Sequence, residues 1–194
     1  LYLINELLEI SKIEAGKLKL IQIEVKLPDL VKNLMLTLNQ INKNSNLELR
    51  YSFDHHVPHY VLSDPIRLEE ILENLLSNAM KFTLKGQVKL QIKLEKLDDN
   101  IAYINFIISD TGIGIENEML DEIFDIFTQV EQNPSKKFKG TGLGLAITKK
   151  LVLIMNGEIK VESKVGVGSE FQVIIPFEVS DHQKKEVDPS KNLR

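Results

Sequence analysis

Seven of the ten glycines in this 194-residue chain fall in three short clusters: Gly112 and Gly114; Gly140, Gly142 and Gly144; Gly166 and Gly168. Glycine admits positive φ and lets backbone N–H groups approach a ligand with no Cβ in the way, as an anion-cradling loop requires. The middle cluster leads into an apolar periodic stretch from Leu143, so its amides and the positive end of a helix dipole would face an anion. Asn74, Asn78 and Lys81 stand at i, i+4 and i+7 and project from one side of a predicted helix. An amide oxygen is a hard ligand for Mg2+, and Lys81 adds positive charge beside it. Asp110 ends the apolar run Ile104 to Ser109, a carboxylate emerging from a buried strand. Each feature alone has a plainer reading: a flexible turn, a polar helix face bonded to backbone, a turn-forming Asp before Thr111-Gly112. Together they favour a site for phosphate and a divalent cation.

The elements that must position these residues are legible in the pattern. Ser63-Asp64-Pro65 predicts a helix start, with an oxygen-bearing cap before a proline whose φ suits the first turn. Leu68, Ile71, Leu72, Leu75, Leu76 and Ala79 then form one apolar stripe, with Asn78 at its border. Upstream, a helix reaches to about Gly16, residues Leu18 to Val25 read as a strand, and Pro28-Asp29 opens a helix that the 42–46 polar cluster closes. Leu47 to Phe53 and Tyr60 to Leu62 read as strands. Gly86 closes the region of the third helix, and Val88 to Leu94 pairs with Ile101 to Ile108 through Asp98-Asp99-Asn100. Short helical pieces and loop occupy 116–139, a helix spans Leu143 to Met155, and 157–164 with 170–177 form a last hairpin. Helices alternating with paired strands predict an α+β fold, a two-layer sandwich of helices on one mixed sheet.

Composition bounds the function class. There are no cysteines, which excludes disulfides, thiolate metal sites and a cysteine nucleophile. The net charge of −4 argues against a nucleic-acid partner, whose binding face would be strongly basic. No apolar run approaches the roughly 18–20 residues of a membrane span, and no secretion signal opens the chain. Residue 1 is Leu, inside a helical pattern of Leu1, Ile4, Leu7 and Leu8, so the chain is expected to begin mid-helix in a longer protein. The polar segment 180–194 reads as linker or tail.

Taken together, these residues resemble the ATP-binding domain of sensor histidine kinases, the GHKL or Bergerat-fold family, over nearly the whole chain. Asp64-Pro65-Ile66-Arg67-Leu68 through Asn74-Leu75-Leu76-Ser77-Asn78-Ala79-Met80-Lys81-Phe82-Thr83 is similar to the family's N box. Asp110-Thr111-Gly112-Ile113-Gly114-Ile115 resembles its first glycine box, Phe124-Asp125-Ile126-Phe127 its F box, and Gly140-Thr141-Gly142-Leu143-Gly144-Leu145 its second glycine box. Gly166-Val167-Gly168-Ser169-Glu170-Phe171 resembles the strand-end element that follows.

The resemblance implies roles. Asp110 would bond the adenine amino group, with Ser169 near it through a water, and Gly112, Gly114 and Ile115 would form the loop beside the base. Asn78 would hold Mg2+, with Asn74 and Lys81 near the phosphates of ATP and Phe82 near the adenine. Residues 128–142 would be a mobile lid, with Lys136 and Lys137 as its cations and the amides of Gly140, Thr141, Gly142, Leu143 and Gly144 around the phosphates. Family members often carry an arginine where this chain reads Ser135-Lys136-Lys137-Phe138-Lys139, and lysine binds phosphate as a point charge without a fork.

The family's phosphoacceptor is a His followed by an acidic residue, a context that His55, His56, His59 and His182 lack. No catalytic acceptor is therefore expected in this chain. Residues 1–16 resemble the end of a dimerisation helix, 17–179 the ATP-binding domain. The acceptor would lie upstream, in a homodimeric helical hairpin, and would pass its phosphoryl group to a response regulator receiver domain. The implied setting is a cytoplasmic domain, with any membrane anchor upstream. Hydrolytic relatives of the fold carry a glutamate one turn before the metal-binding asparagine. Here that position is Asn74, and an amide cannot take a proton from water. The alternatives are a degenerate nucleotide-binding regulatory module and a hydrolytic ATPase.

Overall fold

The computed structural model describes residues 2–42, 46–128 and 141–182, with the side chains of residues 2, 3, 5, 6 and 9 left aside. Its elements run in chain order α1 (Tyr2–Glu14), β1 (Ile23–Lys26), α2 (Leu27–Ile41), β2 (Asn46–Phe53), β3 (Tyr60–Ser63), α3 (Pro65–Phe82), β4 (Lys85–Asp98), β5 (Ile101–Asp110), α4 (Gly144–Ile154), β6 (Glu158–Lys164) and β7 (Gly168–Val179). Two single-turn 3-10 helices, Asn117–Met119 and Glu122–Phe124, lie between β5 and α4. No helix among the described residues is long and apolar enough to cross a membrane.

Seven strands make one sheet in the order β1-β3-β7-β5-β4-β2, with β6 also paired to β7. The 12-residue β7 is long enough to serve two neighbours on one side: β6 along Gly168 to Ile174, and β3 at Glu178 and Val179. β5 runs antiparallel to β7 on the other side and to β4 beyond, while β2 joins β4 in parallel, so the sheet is mixed as expected. β2 and β3 lie on opposite sides of β4, β5 and β7, four inter-strand steps or about 19 Å apart. Residues 54–59 cross that distance with little slack, and Val57, 2% exposed, anchors them in the core.

Alternation decides which face of the sheet is covered. Ala102, Ile104, Phe106 and Ile108 of β5, Val88, Leu90 and Ile92 of β4, and Val173, Ile175 and Phe177 of β7 are buried on one face. Against them lie the stripe of α3, with all six expected apolar residues buried, and the apolar sides of α2 (Val31, Leu34, Met35, Leu38) and α4 (Ile147, Leu151, Val152). The result is the two-layer α+β sandwich expected from the pattern.

Three local expectations change. The strand expected over Leu18 to Val25 shrinks to β1, because its only neighbour, β3, has four residues before the chain turns into α3. With no strand beside 17–22, the Ile21 N–H donates instead to Asp64 Oδ2 at 3.0 Å. Gly86 does not close a segment but lies inside β4, which starts at Lys85 beside Asn46 of β2. α2 begins one residue earlier than Pro28, at Leu27.

Asp64 caps α3 as the sequence suggests, its Oδ1 accepting from Ile66 N at 3.1 Å and Arg67 N at 3.2 Å. It is only 4% exposed and holds Ile21 as well, so one carboxylate joins the β1 approach to the start of α3. Asp64→Ala should therefore cost about 2–4 kcal/mol, a lost cap plus a backbone donor left without a partner. Urea denaturation checks this, and Asp64→Asn, which keeps an acceptor oxygen, should lose less.

Candidate functional site

α3 is the common wall of the site. Its last residues and the end of β5 are stitched together by the loop that follows Asp110. The Ile113 N–H donates to Phe82 O at 3.3 Å, and Thr111 N to Gln87 O at 3.1 Å. Asp110 Oδ1 accepts from Gly112 N at 2.7 Å and from the Thr83 hydroxyl at 3.4 Å. The Asp110 side chain is half-buried, and that burial raises its pKa above the usual carboxylate value. Hydrogen bonds from the Gly112 and Ser169 backbone and from Thr83 oppose the rise without cancelling it. A carboxylate held at a strand end by backbone amides is a fixed acceptor for an N–H donor on a ligand.

Gly114 has φ +72°, and a Cβ there would run into the Lys164 carbonyl. The β6–β7 hairpin presses on this loop: Gly166 N donates to Ile113 O at 2.7 Å, and Ile115 N donates to the Ser163 hydroxyl at 2.8 Å. Ser163 Oγ also lies 3.0 Å from Gly168 O and 2.9 Å from Ser169 Oγ. The buried Ser169 is thus linked through Ser163 to the glycine loop and neighbours Asp110 through its own N–H.

Asn74 faces α4 rather than open solvent. Its Nδ2 donates to the buried Thr148 hydroxyl at 2.7 Å, and its Oδ1 accepts from Asn78 Nδ2 at 3.4 Å. α4 comes this close because its first residue is Gly144, where a Cβ would lie 2.5 Å from Asn74 Oδ1. Asn78 uses one of its amide N–H groups on Asn74, and its amide oxygen is an acceptor. Lys81 is half-buried, burial lowers its pKa, and its Nζ sits 4.9 Å from the Phe82 ring centroid.

Ahead of α4, Phe127 N donates to Gly142 O at 3.0 Å, and Thr141 Oγ1 accepts from Leu143 N at 3.3 Å. The Leu143 side chain is fully buried, so only its backbone remains for a ligand, and here that N–H is spent on Thr141. Phe124 is held edge-to-face on Phe171, centroids 6.5 Å apart, with Lys149 Nζ 5.2 Å from its ring. The expected lid cations Lys136 and Lys137, and Gly140, lie outside the described residues.

The structure therefore gathers Asp110, Gly112, Gly114, Ile115 and Ser169 at one end of the sheet, next to Phe82 at the end of α3. About two turns earlier along the same helix Asn74 meets Gly144, and Asn78 is bonded to Asn74. Three residues that pattern reading passed over hold this arrangement: Thr83 on Asp110, Thr148 on Asn74, and Ser163 on both the glycine loop and Ser169. All three are small hydroxyl residues that carry no periodic signal; buried Thr148 on the apolar α4 was the one detectable oddity.

Comparison with known proteins agrees with this geometry. Residues 63–179 match the family described as histidine kinase-, DNA gyrase B-, and HSP90-like ATPase. Hybrid signal transduction histidine kinase B of Dictyostelium discoideum is 41% identical over 174 residues, covering 90% of this chain and 9% of that protein. Sensor histidine kinase GacS of Pseudomonas protegens is 41% identical over 171 residues, 88% of this chain and 19% of that protein. The chain thus spans a fifth or less of the length of these two relatives. Full-length ShkA in complex with AMPPNP superposes with a TM-score of 0.80 at 28% identity, covering 92% of this chain and 36% of that one. The chain belongs to the histidine kinase-, DNA gyrase B- and HSP90-like ATPase family, and within it is an ATP-binding catalytic domain of the histidine kinase type.

Proposed function

We propose that this domain binds Mg2+ and ATP in the cleft between α3, the 110–115 loop and the start of α4. There it presents the γ-phosphoryl group to a histidine outside the chain, for relay to an aspartate of a response regulator receiver domain. The observation that carries the reading is the Asp110 carboxylate, half-buried and fixed by Gly112 and Thr83 beside a loop that glycine keeps open. An ionised carboxylate there accepts the amino group of adenine, and Phe82 and Ile115 border the base. Ser169, tied to Ser163, assists through a water.

The residues fit Mg2+ as well: Asn78 offers a hard oxygen ligand, its amide aligned by Asn74, while the ion keeps water and phosphate oxygens in its remaining positions. When bound, the ion neutralises phosphate charge. Asn74 and Lys81 would lie near the phosphates, as would the amides of Thr141, Gly142, Leu143 and Gly144; for Lys136, Lys137 and Gly140, outside the described residues, a phosphate contact rests on the family resemblance alone. For the Leu143 amide to reach a phosphate, its bond to Thr141 Oγ1 must open. Catalysis is then positioning and charge neutralisation, with no acceptor histidine in this chain.

Asn74 supports transfer over hydrolysis. Its two amide ends are engaged with Thr148 and Asn78, and it cannot act as a base toward water. The nearby Glu70 is paired with Arg67 at 2.6 Å, and Glu73 points to solvent. In the parent protein we place residues 1–16 at the end of a dimerisation helix, 17–179 in the ATP-binding domain and 180–194 in a tail. α1 packs on α4 through buried Ile10 and a 2.6 Å Glu14–Lys150 ion pair, while Ile4, Leu7 and Leu8 stay exposed, a face suited to a helical hairpin and its homodimer mate. The parent's response regulator would meet that hairpin, and the domain itself would face the cytoplasm.

Calorimetric titration with a non-hydrolysable ATP analogue tests the site. Asp110→Asn should weaken binding at least about ten-fold, the loss of one charge-assisted hydrogen bond. Asn78→Ala should remove the Mg2+ dependence. Steady phosphate release by this chain, abolished in Asn78→Ala, would overturn transfer in favour of hydrolysis. Acid-labile labelling of a histidine in the full-length protein would support transfer.

The raised pKa of Asp110 makes two further outcomes follow. Nucleotide affinity should fall as pH drops through that raised pKa, because the protonated carboxyl no longer presents two acceptor oxygens. The folded state holds this proton more tightly than the unfolded chain, so ionising Asp110 costs stability above its pKa. Asp110→Asn should then be at least as stable as wild type near neutral pH, with the difference shrinking in acid, as thermal denaturation across pH will read. Ser163→Ala should loosen the 113–115 loop and weaken binding several-fold while leaving Mg2+ dependence intact, which titration with and without the ion separates.

A further inference from the structure

Three of the four histidines lie in the 54–59 crossing, and the nucleotide site uses none of them. Asp54, His55 and His56 directly follow β2. One carboxylate oxygen of Asp54 and one ring nitrogen of each histidine lie within 4.8 Å of one another. Asp54 Oδ1 is 3.0 Å from His56 Nδ1 and 3.5 Å from His55 Nδ1. Two donors each about 2.1 Å from one tetrahedral or octahedral ion stand about 3.0–3.4 Å apart, so two edges of a ligand triangle are already near that length. The imidazole rings lie side by side, centroids 3.7 Å apart and planes tilted by 40°. The His55 side chain is 84% exposed, so a rotation about its own bonds would close the third edge, whose ligand atoms lie within 4.8 Å.

The backbone under this triangle is held on both sides. Asp54 N donates to Ile92 O at 2.9 Å, Val57 N donates to Asp54 O at 3.1 Å, and the Val57 side chain is buried in the core. The carboxylate is oriented by the His56 N–H, which donates to Asp54 Oδ1 at 2.9 Å.

We propose that Asp54, His55 and His56 form a binding site for a divalent ion of the Zn2+, Ni2+ or Cu2+ class. Two imidazoles and one carboxylate favour these borderline ions over Mg2+ and Ca2+, which prefer all-oxygen shells. The site is separate from the nucleotide cleft: Asp54 is pinned to β4 at Ile92, four residues or about 13 Å of strand from Val88, the partner of Asp110. The three ligands are consecutive in sequence, so the unfolded chain also binds the ion to some extent. Affinity is therefore a better readout than melting temperature.

The test is calorimetric titration of the chain with Zn2+ in a non-chelating buffer, repeated with Mg2+ in excess. One Zn2+ per chain is expected, unaffected by Mg2+, with affinity falling at least about ten-fold in His55→Ala and in His56→Ala and several-fold in Asp54→Asn. His182→Ala, at a histidine outside the cluster, should bind as wild type does. Paramagnetic Ni2+ or Cu2+ should broaden the His55 and His56 ring signals first. The proposal is overturned if Zn2+ gives no binding up to about 1 mM, or if the three cluster variants bind it as the wild type does. It is overturned equally if the loss follows His182→Ala. Each substitution is on the surface, and unchanged circular dichroism and ATP-analogue binding will show that the variants remain folded.

Discussion

The burial of one helix face against one strand pair governs this molecule. The stripe of α3 lies on the core face of the sheet, where Ile104, Phe106 and Ile108 of β5 and Val173 and Ile175 of β7 are shut away from water. At about 25 cal/mol per Å2 of apolar area removed from water, no polar contact on the surface competes with that term. Once α3 is seated, the rotation of the helix is fixed, and so is the side on which its polar border emerges. Asn74 must then face α4, and the end of the helix must meet the end of β5. The placement of the ligand-facing groups therefore follows from core packing, and their own hydrogen bonds refine it.

A second constraint follows from close approach. The 110–115 loop and the first turn of α4 crowd onto the wall that α3 provides, and the β6–β7 hairpin presses on that loop from outside. Contact at that range is possible because Gly114 faces the Lys164 carbonyl and Gly144 faces the Asn74 amide with no side chain between. Hydroxyls then hold the pieces in register: Thr83 bonds Asp110, Thr148 bonds Asn74, and Ser163 joins the 113–115 loop to the β6–β7 hairpin. Bonds of this kind are individually worth about 1 kcal/mol, enough to define a resting position and few enough to let the loops adjust. The Leu143 N–H on Thr141 shows the same economy: a donor at the start of α4 is kept occupied by a neighbouring hydroxyl rather than left bare.

Burial of a carboxylate at this junction has opposite consequences for folding and for binding. Desolvation pushes the Asp110 pKa up, a cost that the Gly112 and Ser169 N–H groups only partly offset. The same desolvation makes the carboxylate a stronger acceptor for a ligand, because little water competes for it. A site can in this way carry a local instability that the large core of the domain easily absorbs.

The sequence by itself determined the start of α3, its cap and its buried face, because Asp64-Pro65 and a six-residue stripe are local signals set by helix period and capping chemistry. It also determined the α+β alternation, and the spacing of the glycine clusters and amides along the chain sufficed to mark the family. Tertiary structure decided what spacing cannot encode. Of the 18–25 segment only Ile23 to Val25 enters a strand, since the length of β1 depends on the strand that pairs with it, and β3 is short. Gly86 continues β4 because β2 lies alongside in parallel, with Asn46 opposite Lys85 and Leu47 opposite Gly86, partners 39 residues apart in sequence. Thr148 meets Asn74 across 74 residues of chain and Ser163 meets Ile115 across 48, pairings that exist only after the helices and the hairpin have docked. Local periodicity is written in neighbouring residues, whereas a hydrogen bond between distant hydroxyls and amides is written only in the packing that brings them together.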